Sequence, residues 1–231
     1  MAWTDPVLHT VFWSTMTIAI YAVGKRLHGR LGRWWSTPLM VAPLLLIALA
    51  LILRETYGDY IRQTHWLVVL LGPATVAFAV PIWQNRAMIR RYWPVLAAGM
   101  AAGSVTAIAS VWGLATLLGL NDSLRLSLVP RSISTPFAMT MSASIGGVPD
   151  LTAVFVVVTG VFGAALGEAL LRYLPLRSVL SRGALFGMGA HGAGVAKAHV
   201  IGREEGSVAG LVMVLVGLAN VLAAPLLAQM L

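Results

Sequence analysis

Cysteine is absent from this sequence, and charged residues make up only 10% of its 231 positions. Without cysteine there are no disulfides, no thiolate metal site and no thiol nucleophile. An average soluble domain carries about 25% charged residues, whereas 58% of this chain is hydrophobic. Several apolar stretches reach the length of about 17–25 residues that crosses a hydrocarbon layer of about 30 Å. The sequence therefore predicts an all-α integral membrane protein.

Acidic residues are also few, with eight Asp and Glu in total. The sequence shows no paired carboxylates, no nucleophile beside a recognisable base and no phosphate-binding loop, so we predict no catalytic residue, no metal ligand and no cofactor. A dyad of Ser132 and His191 stays open as a hydrolase alternative, although no acid to orient the histidine is apparent. We expect Glu168 to pair with Arg172 at the surface, and Glu204 and Glu205 to lie in a solvated turn.

The 16 Lys and Arg give a net charge of +8, which in a soluble protein would suggest nucleic-acid binding. Here the basic residues lie in short loops between apolar segments, the usual pattern beside anionic lipid. We therefore expect the lipid bilayer as a partner and no nucleic acid.

About six spanning helices are predicted, in one transmembrane domain over 1–231. The basic loops 24–35, 83–93 and 172–183 alternate with loops of balanced or low charge, so the positive-inside rule places both termini outside a bacterial inner membrane. No basic residue precedes the first apolar run, which predicts a retained first helix rather than a cleaved signal. The predicted spans are 7–23, 37–53, 66–82, 94–118, 151–171 and 207–229.

Two stretches, 124–148 and 184–202, do not fit as simple spans. With the loops assigned as above, each enters the membrane and leaves on the same side, as a broken or re-entrant segment. A full crossing of either stretch stays open and would invert part of the topology. Irregular backbone at membrane depth is tolerated only inside protein or around a wet cavity.

The first of these stretches contains RSISTPFAMTMSASIGG. Thr135 is expected to cap a half-helix that begins with Pro136 and ends near Gly146 and Gly147. Its exposed N–H groups, the neighbouring hydroxyls and a guanidinium would form a site for a small organic anion. Thr140 and Ser144 would either line a polar path or hydrogen-bond back to their own helix. The predicted ligands here are Arg131, Ser132, Ser134, Thr135 and Ser144.

An earlier stretch, LLGPATVAFAVP, carries a similar break at Gly72 and Pro73, with Thr75 as its hydroxyl. Each break precedes a helix with two glycines four residues apart, Gly99 and Gly103 in one and Gly163 and Gly167 in the other. Duplicated broken segments are typical of repeat-built transporters, but glycine and proline are also common in membrane helices. An internal repeat is thus possible.

The second stretch contains GMGAHGAGVAKAH, in which Gly192 and Gly194 permit close backbone approach. His191 would bind a carboxylate or carry a proton near neutral pH, and Lys197 would supply charge. A packing role for His191 in a tight turn is the alternative.

Several runs in order, GPATVAFAVP, RSISTPFAM, SASIGGVPDLTAVFVVVTG, GAHGAGVAKA and GREEGSVAGL, resemble the LrgB/CidB family over roughly residues 60–229. The resemblance implies either antiholin-like control of murein hydrolases or transport of small monocarboxylates, and a small LrgA/CidA-type membrane partner. It places the family motifs on Ser132, Ser134, Thr135 and Pro136, on Ser144 to Gly147, and on His191 and Gly194. Val195 stands where members commonly have threonine, which implies altered selectivity.

Two functions follow. The first is a carrier of pyruvate, glycolate, glycerate or related hydroxy acids, bound where the broken segments meet. The second is a regulator of a holin-like partner, assembled through its glycine faces as a homo- or hetero-oligomer. An ion channel would need a ring of pore-lining charges, which the sequence lacks.

Overall fold

The computed structural model describes residues 6–230, apart from the side chains of Trp34 and Met230, and this part of the chain is helical without any strand. Five helices are long and apolar enough to cross a membrane, and Pro38–Leu53 is a shorter apolar helix. The prediction of an all-α membrane protein is thereby confirmed. The five are Pro6–Leu31, Tyr57–Gln84, Arg86–Leu117, Pro149–Tyr173 and Arg203–Gln229.

Contacts divide the chain into two compact units, Met1–Ala74 and Thr75–Leu231, and the single transmembrane domain stays a prediction. In the first unit, α1 (Pro6–Leu31) packs against α2 (Pro38–Leu53) and α3 (Tyr57–Val69). Trp13 is 1% exposed, and its ring meets Tyr60 edge-on at 5.3 Å between ring centroids. Because α1 continues to Leu31, most of the basic cluster expected in a loop lies on its last turns instead.

The span predicted at 66–82 is a chain of three helices, α3, α4 (Leu71–Ala77) and α5 (Ala79–Gln84). Its interruptions fall at Leu70 and Phe78, on either side of Gly72 and Pro73. The prediction of a free helix start with Thr75 beside it is wrong, because Thr75 lies inside α4. Both interrupting residues keep nearly helical backbone angles, so neither interruption exposes a row of donors.

The second unit contains α6 to α11. They are α6 (Arg86–Leu117), α7 (Asp122–Leu128), α8 (Thr135–Ile145), α9 (Pro149–Tyr173), α10 (Val179–Ile201) and α11 (Arg203–Met230), with a 3-10 turn at Val129–Ser132 between α7 and α8.

The stretch from α7 to α8 returns to its starting point. α8 ends at Gly146, whose φ of +87° is the left-handed conformation that glycine adopts without penalty. The N–H of Val148, two residues later, donates to Ser127 Oγ at 2.8 Å. The chain thus leaves α7, turns, runs 11 residues along α8 and comes back to α7. This geometry matches the predicted re-entrant course of 124–148.

Helix α10 also folds back on itself. Its backbone breaks at His191, and a Cβ on Gly194 would collide with the carbonyl oxygen of Phe186. Eight residues in a straight helix would be about 12 Å apart along the axis. The first limb (179–190) and the second limb (192–201) therefore form a hairpin, called the α10 hairpin below.

Helix α11 fixes the direction of both limbs. Gly183 and Gly187 of the first limb contact Val208 and Ala209 in turn, and this limb therefore runs parallel to α11. In the second limb, Val195 contacts Gly210 and His199 contacts Gly206, so this limb runs antiparallel. Both ends of the α10 hairpin accordingly lie at the Arg203 end of α11, as expected for a segment that enters and leaves on one side. Each limb is about 15–18 Å long, half of a hydrocarbon layer of about 30 Å.

Two hydroxyl groups and a backbone carbonyl join α9 to the base of the segment 122–148, called the α7–α8 excursion below. Thr152 Oγ1 lies 2.9 Å from the Ser127 carbonyl oxygen and 2.7 Å from Ser142 Oγ, and all three residues are 0% exposed. A buried polar group that loses its partner destabilises a fold by about 1–3 kcal/mol. This cluster is therefore expected to hold the excursion closed.

We expect Thr152→Val to lower the free energy of unfolding by about 1–3 kcal/mol, because it strands two buried polar groups. The matched control is Thr140→Val, since Thr140 is exposed and bonds only to Pro136 O of its own helix at 2.9 Å. Its effect should stay within about 0.5 kcal/mol. Thermal unfolding in detergent measures both, and equal effects would show that the cluster contributes nothing.

Candidate functional site

The two helix breaks meet at the middle of α9. Gly160 is the twelfth of the 25 residues of this helix, and a Cβ on it would lie 2.7 Å from His191 Cε1. The α10 hairpin also contacts the 3-10 turn Val129–Ser132, where the backbone of Arg131 faces the imidazole. Because α9 is long and apolar enough to span a membrane, both breaks lie near the depth of its midpoint.

The N-terminus of α8 supplies unpaired donors at this place. The first four N–H groups of a helix have no intrahelical acceptor; here Ala138 N reaches Ser134 O at 2.9 Å, while those of Ser134, Thr135 and Phe137 find no acceptor among the described residues. Ser134 Oγ is buried and likewise has no hydrogen-bond partner in the described part of the chain. The expectation that Thr135 caps α8 is wrong, because Ser134, with φ −65° and ψ 147°, is the cap residue and Thr135 the first helical one.

His191 occupies the turn of the α10 hairpin in a conformation rare for any residue but glycine. Its φ is +35° and its ψ is −122°, and its side chain is only 4% exposed. The buried Nε2 makes no hydrogen bond with the described residues. Strained backbone of this kind typically costs about 1–3 kcal/mol and persists where the surrounding structure enforces it, often at functional sites.

Arg131 brings a positive charge without a matching negative one. Among the described residues, its guanidinium makes one hydrogen bond, from Nη1 to the Ala107 carbonyl oxygen at 3.5 Å. No carboxylate in the described part of the chain forms an ion pair with it. A partly buried cation that lacks a counter-charge favours an anionic ligand. The neighbouring Ser132 is half-buried.

The structure joins four of the predicted ligands, Arg131, Ser134, Thr135 and His191, around the two breaks. Ser144 is exposed and donates to Met141 O at 2.7 Å, so its hydroxyl is used within α8. Gly194 lies in the packed contact between the hairpin limbs, whereas a Cβ on Gly192 would meet nothing within 4 Å.

Two expectations about ion pairs are wrong. Glu168 pairs with Lys197 Nζ at 2.7 Å rather than with Arg172, because the second limb of α10 lies beside α9. Lys197 is therefore engaged away from the helix breaks. Glu205 is 7% exposed and not solvated, because it pairs with Arg182 Nη2 at 3.0 Å at the base of the α10 hairpin.

Sequence reasoning missed Gly160, which admits the imidazole, and Asn220, a buried amide in α11. Asn220 is the one amide within an otherwise apolar run, and this isolation could have identified it from the sequence as a residue with a polar partner. Nothing near Gly160 marks it among the 23 glycines of the chain.

The described residues contain no group of three or more His, Cys, Asp or Glu side chains placed to hold a metal ion. A cavity of about 460 Å³ opens at the base of the α10 hairpin, where it is lined by residues including Asn85, Tyr92, Ser178 and Glu204. That base is a full limb away from His191. At the helix breaks themselves, Ser134 Oγ and His191 Nε2 are shielded from solvent in this conformation.

The fold and the site define a multi-pass membrane protein in which two helical excursions, each broken at its tip, meet beside the middle of a spanning helix. The family model of the LrgB-like family matches residues 17–230, and the chain belongs to that family. The resemblance drawn from the sequence motifs is thereby confirmed.

Three relatives illustrate the range of names in the family. The chain is 37% identical to the uncharacterized protein YwbG of Bacillus subtilis, over 92% of this chain and 94% of the relative. It is 32% identical to the antiholin-like protein LrgB of the same organism, over 98% of each. To the holin-like protein CidB of Staphylococcus epidermidis it is 27% identical, over 95% and 96%. No solved structure gives a significant match.

Proposed function

We propose that the protein is a carrier of small monocarboxylates, such as pyruvate, glycolate, glycerate or related hydroxy acids, in a bacterial inner membrane with both termini outside. The observation that carries the proposal is the meeting of the two broken excursions beside Gly160. There, Ser134 Oγ and His191 Nε2 are buried and find no hydrogen-bond partner in the part of the chain that the structure describes. Unsatisfied polar groups are costly at membrane depth unless a ligand uses them.

The available groups suit a carboxylate in number and kind. The N–H groups at the start of α8 and the Ser134 hydroxyl donate hydrogen bonds, and the helix N-terminus carries partial positive charge. Arg131 adds a full charge, and no acid within residues 6–230 forms an ion pair with it. His191 offers Nε2 either as a donor or as an acceptor, depending on its protonation. A two- or three-carbon acid satisfies several of these donors within a small volume.

Because the polar atoms are shielded in this conformation, exchange of substrate requires a tip to move. The tips hold irregular backbone, whereas the limbs hold complete helical bonding, so the tips are the less costly part to displace. Alternate opening of the two excursions is a sufficient movement for a carrier with a site near the membrane midplane.

The second candidate function is antiholin-like modulation of a small LrgA/CidA-type membrane partner, without transport. The names of the relatives from Bacillus and Staphylococcus favour it. The glycine faces do not add support, because Gly103, Gly163 and Gly167 are already covered by Met188, Gly189 and Phe186 of the α10 hairpin. Of the four glycines in the two glycine pairs, only Gly99 would have no atom within 4 Å of an added Cβ.

The test is counterflow of radiolabelled pyruvate and glycolate in proteoliposomes that hold this chain alone. We expect Arg131→Gln to reduce uptake by about 10–100-fold, since a hydrogen bond to a charged group contributes about 1.5–3 kcal/mol. Ser134→Ala should give a smaller loss. The control is Arg177→Gln, the same change at an exposed loop position, and it should leave uptake unchanged.

Two results would count against the proposal in different ways. Uptake that survives the joint removal of Arg131, Thr135 and His191 side chains would refute the site while leaving transport intact. A folded wild-type protein without any flux would refute the carrier and favour the modulator.

A further inference from the structure

Asn220 is a buried amide inside the otherwise apolar run 208–228 of α11. It is the eighteenth of the 28 residues of α11 and is 7% exposed. Its Nδ2 donates to Ser104 Oγ at 2.8 Å and to the Val216 carbonyl oxygen at 2.9 Å. Polar side chains within spanning helices are costly, and they either join helices or serve a function.

The hydrogen-bonding capacity of this pair is only half used. Nδ2 has two hydrogens, and the two bonds above occupy both of them. Within the described part of the chain, Oδ1 of Asn220 receives no hydrogen bond, and the proton of Ser104 Oγ, which accepts from Nδ2, has no acceptor. The orientation of the amide is fixed, because the Val216 carbonyl accepts a hydrogen bond and cannot donate one. Asn220 and Ser104 thus offer one acceptor and one donor side by side.

The pair adjoins the helix breaks. Ser104 and Ala107 lie three residues apart on α6, so they share a face, about one turn from each other. The Ala107 carbonyl oxygen is the atom that Arg131 contacts. On α11, Gly217 lies one turn before Asn220 and packs directly against Phe137, in the first turn of α8. Ser104 is therefore about one helical turn from the guanidinium contact, and Asn220 is about one turn from the glycine that packs on the first turn of α8.

We propose that Asn220 and Ser104 bind the oxygen on the second carbon of the transported acid and so select 2-hydroxy acids over unsubstituted ones. This inference rests on the proposed carrier function. A hydroxyl group both donates and accepts, so it can donate to Asn220 Oδ1 and accept from Ser104 Oγ. A keto oxygen uses only the Ser104 proton, and a methyl or methylene hydrogen uses neither. The order of preference is hydroxy acid, then keto acid, then the unsubstituted acid.

The experiment compares glycolate with acetate, two acids that differ by one hydroxyl, as counterflow substrates of proteoliposomes containing the full chain. Asn220→Leu and Ser104→Ala are each expected to lower the ratio of glycolate to acetate uptake by about tenfold. Acetate uptake itself should change little, because the carboxylate ligands are untouched. Thr106→Val is the matched control, since it also removes a hydroxyl group and Thr106 is exposed on the same helix, two residues from Ser104.

The outcomes are distinguishable. A parallel loss of both acids, or an unchanged ratio, would overturn selection by this pair while leaving the carrier in place, and would assign Asn220 a purely structural role. Absence of uptake of either acid by the wild-type protein would overturn the carrier and this inference together. Should Asn220→Leu fail to fold, Ser104→Ala still decides, because it retains the bond from Asn220 to Val216.

Discussion

Glycine in place of His191 is expected to give a more stable protein than alanine at the same position, and neither variant is expected to transport. Both changes remove the imidazole and leave the same space beside Gly160. They differ in the backbone, because φ of +35° with ψ of −122° suits glycine and strains every residue that has a Cβ. The expected difference in the free energy of unfolding is about 1–3 kcal/mol in favour of glycine.

Thermal unfolding of the two purified variants in one detergent measures this difference, and counterflow measures the activity. A residue kept at a strained position at the expense of stability is expected to be there for its chemistry. Equal stability of the two variants would show that the backbone at this position is not strained, and the strain would then not indicate function. Full uptake by His191→Gly would show that the imidazole does not bind the substrate.

Gly194→Ala is expected to prevent accumulation of folded protein, because its new methyl group would collide with the Phe186 carbonyl oxygen of the opposite limb. The colliding partner is backbone, which cannot turn aside as a flexible side chain does. Overpacking of this kind usually costs about 1–3 kcal/mol, and more where the backbone must separate. We expect the α10 hairpin to open rather than to adjust.

The matched control is Gly192→Ala in the same hairpin, two residues away, where an added Cβ meets nothing within 4 Å. It should fold at least as well as the wild type, since alanine favours a helix over glycine by about 1 kcal/mol. Fluorescence-detected size-exclusion chromatography of both variants decides the matter. A folded, monodisperse Gly194→Ala protein would contradict the hairpin geometry.

Much of the fold was predictable because a membrane constrains apolar length and charge placement so strongly. The six predicted spans correspond to helices, and both stretches that did not fit as spans are broken. Prolines, hydroxyl groups and glycines at 130–150, and glycines at 184–202, were sufficient to locate the breaks, since such residues disfavour a continuous apolar helix. The exact ends of the helices were harder to predict from the sequence. The cap of α8 is Ser134 rather than Thr135 because backbone angles decide which residue caps a helix, and both residue types are suitable.

The parts that could not be predicted depend on contacts between distant segments. Glu168 was assigned the partner four residues away, yet Lys197 reaches it because the α10 hairpin brings its second limb back along α9. Gly160 became important only through the imidazole that lies on it. Local spacing describes neighbours on one helix, whereas the site consists of atoms drawn from several.

The α7–α8 excursion and the α10 hairpin each end on the side where they begin. Neither therefore changes whether the number of membrane crossings is odd or even. The spanning helices α6, α9 and α11 thus alternate in direction as they would if short loops joined them. A change in the length or sequence of the α7–α8 excursion or of the α10 hairpin would therefore not invert any later part of the chain.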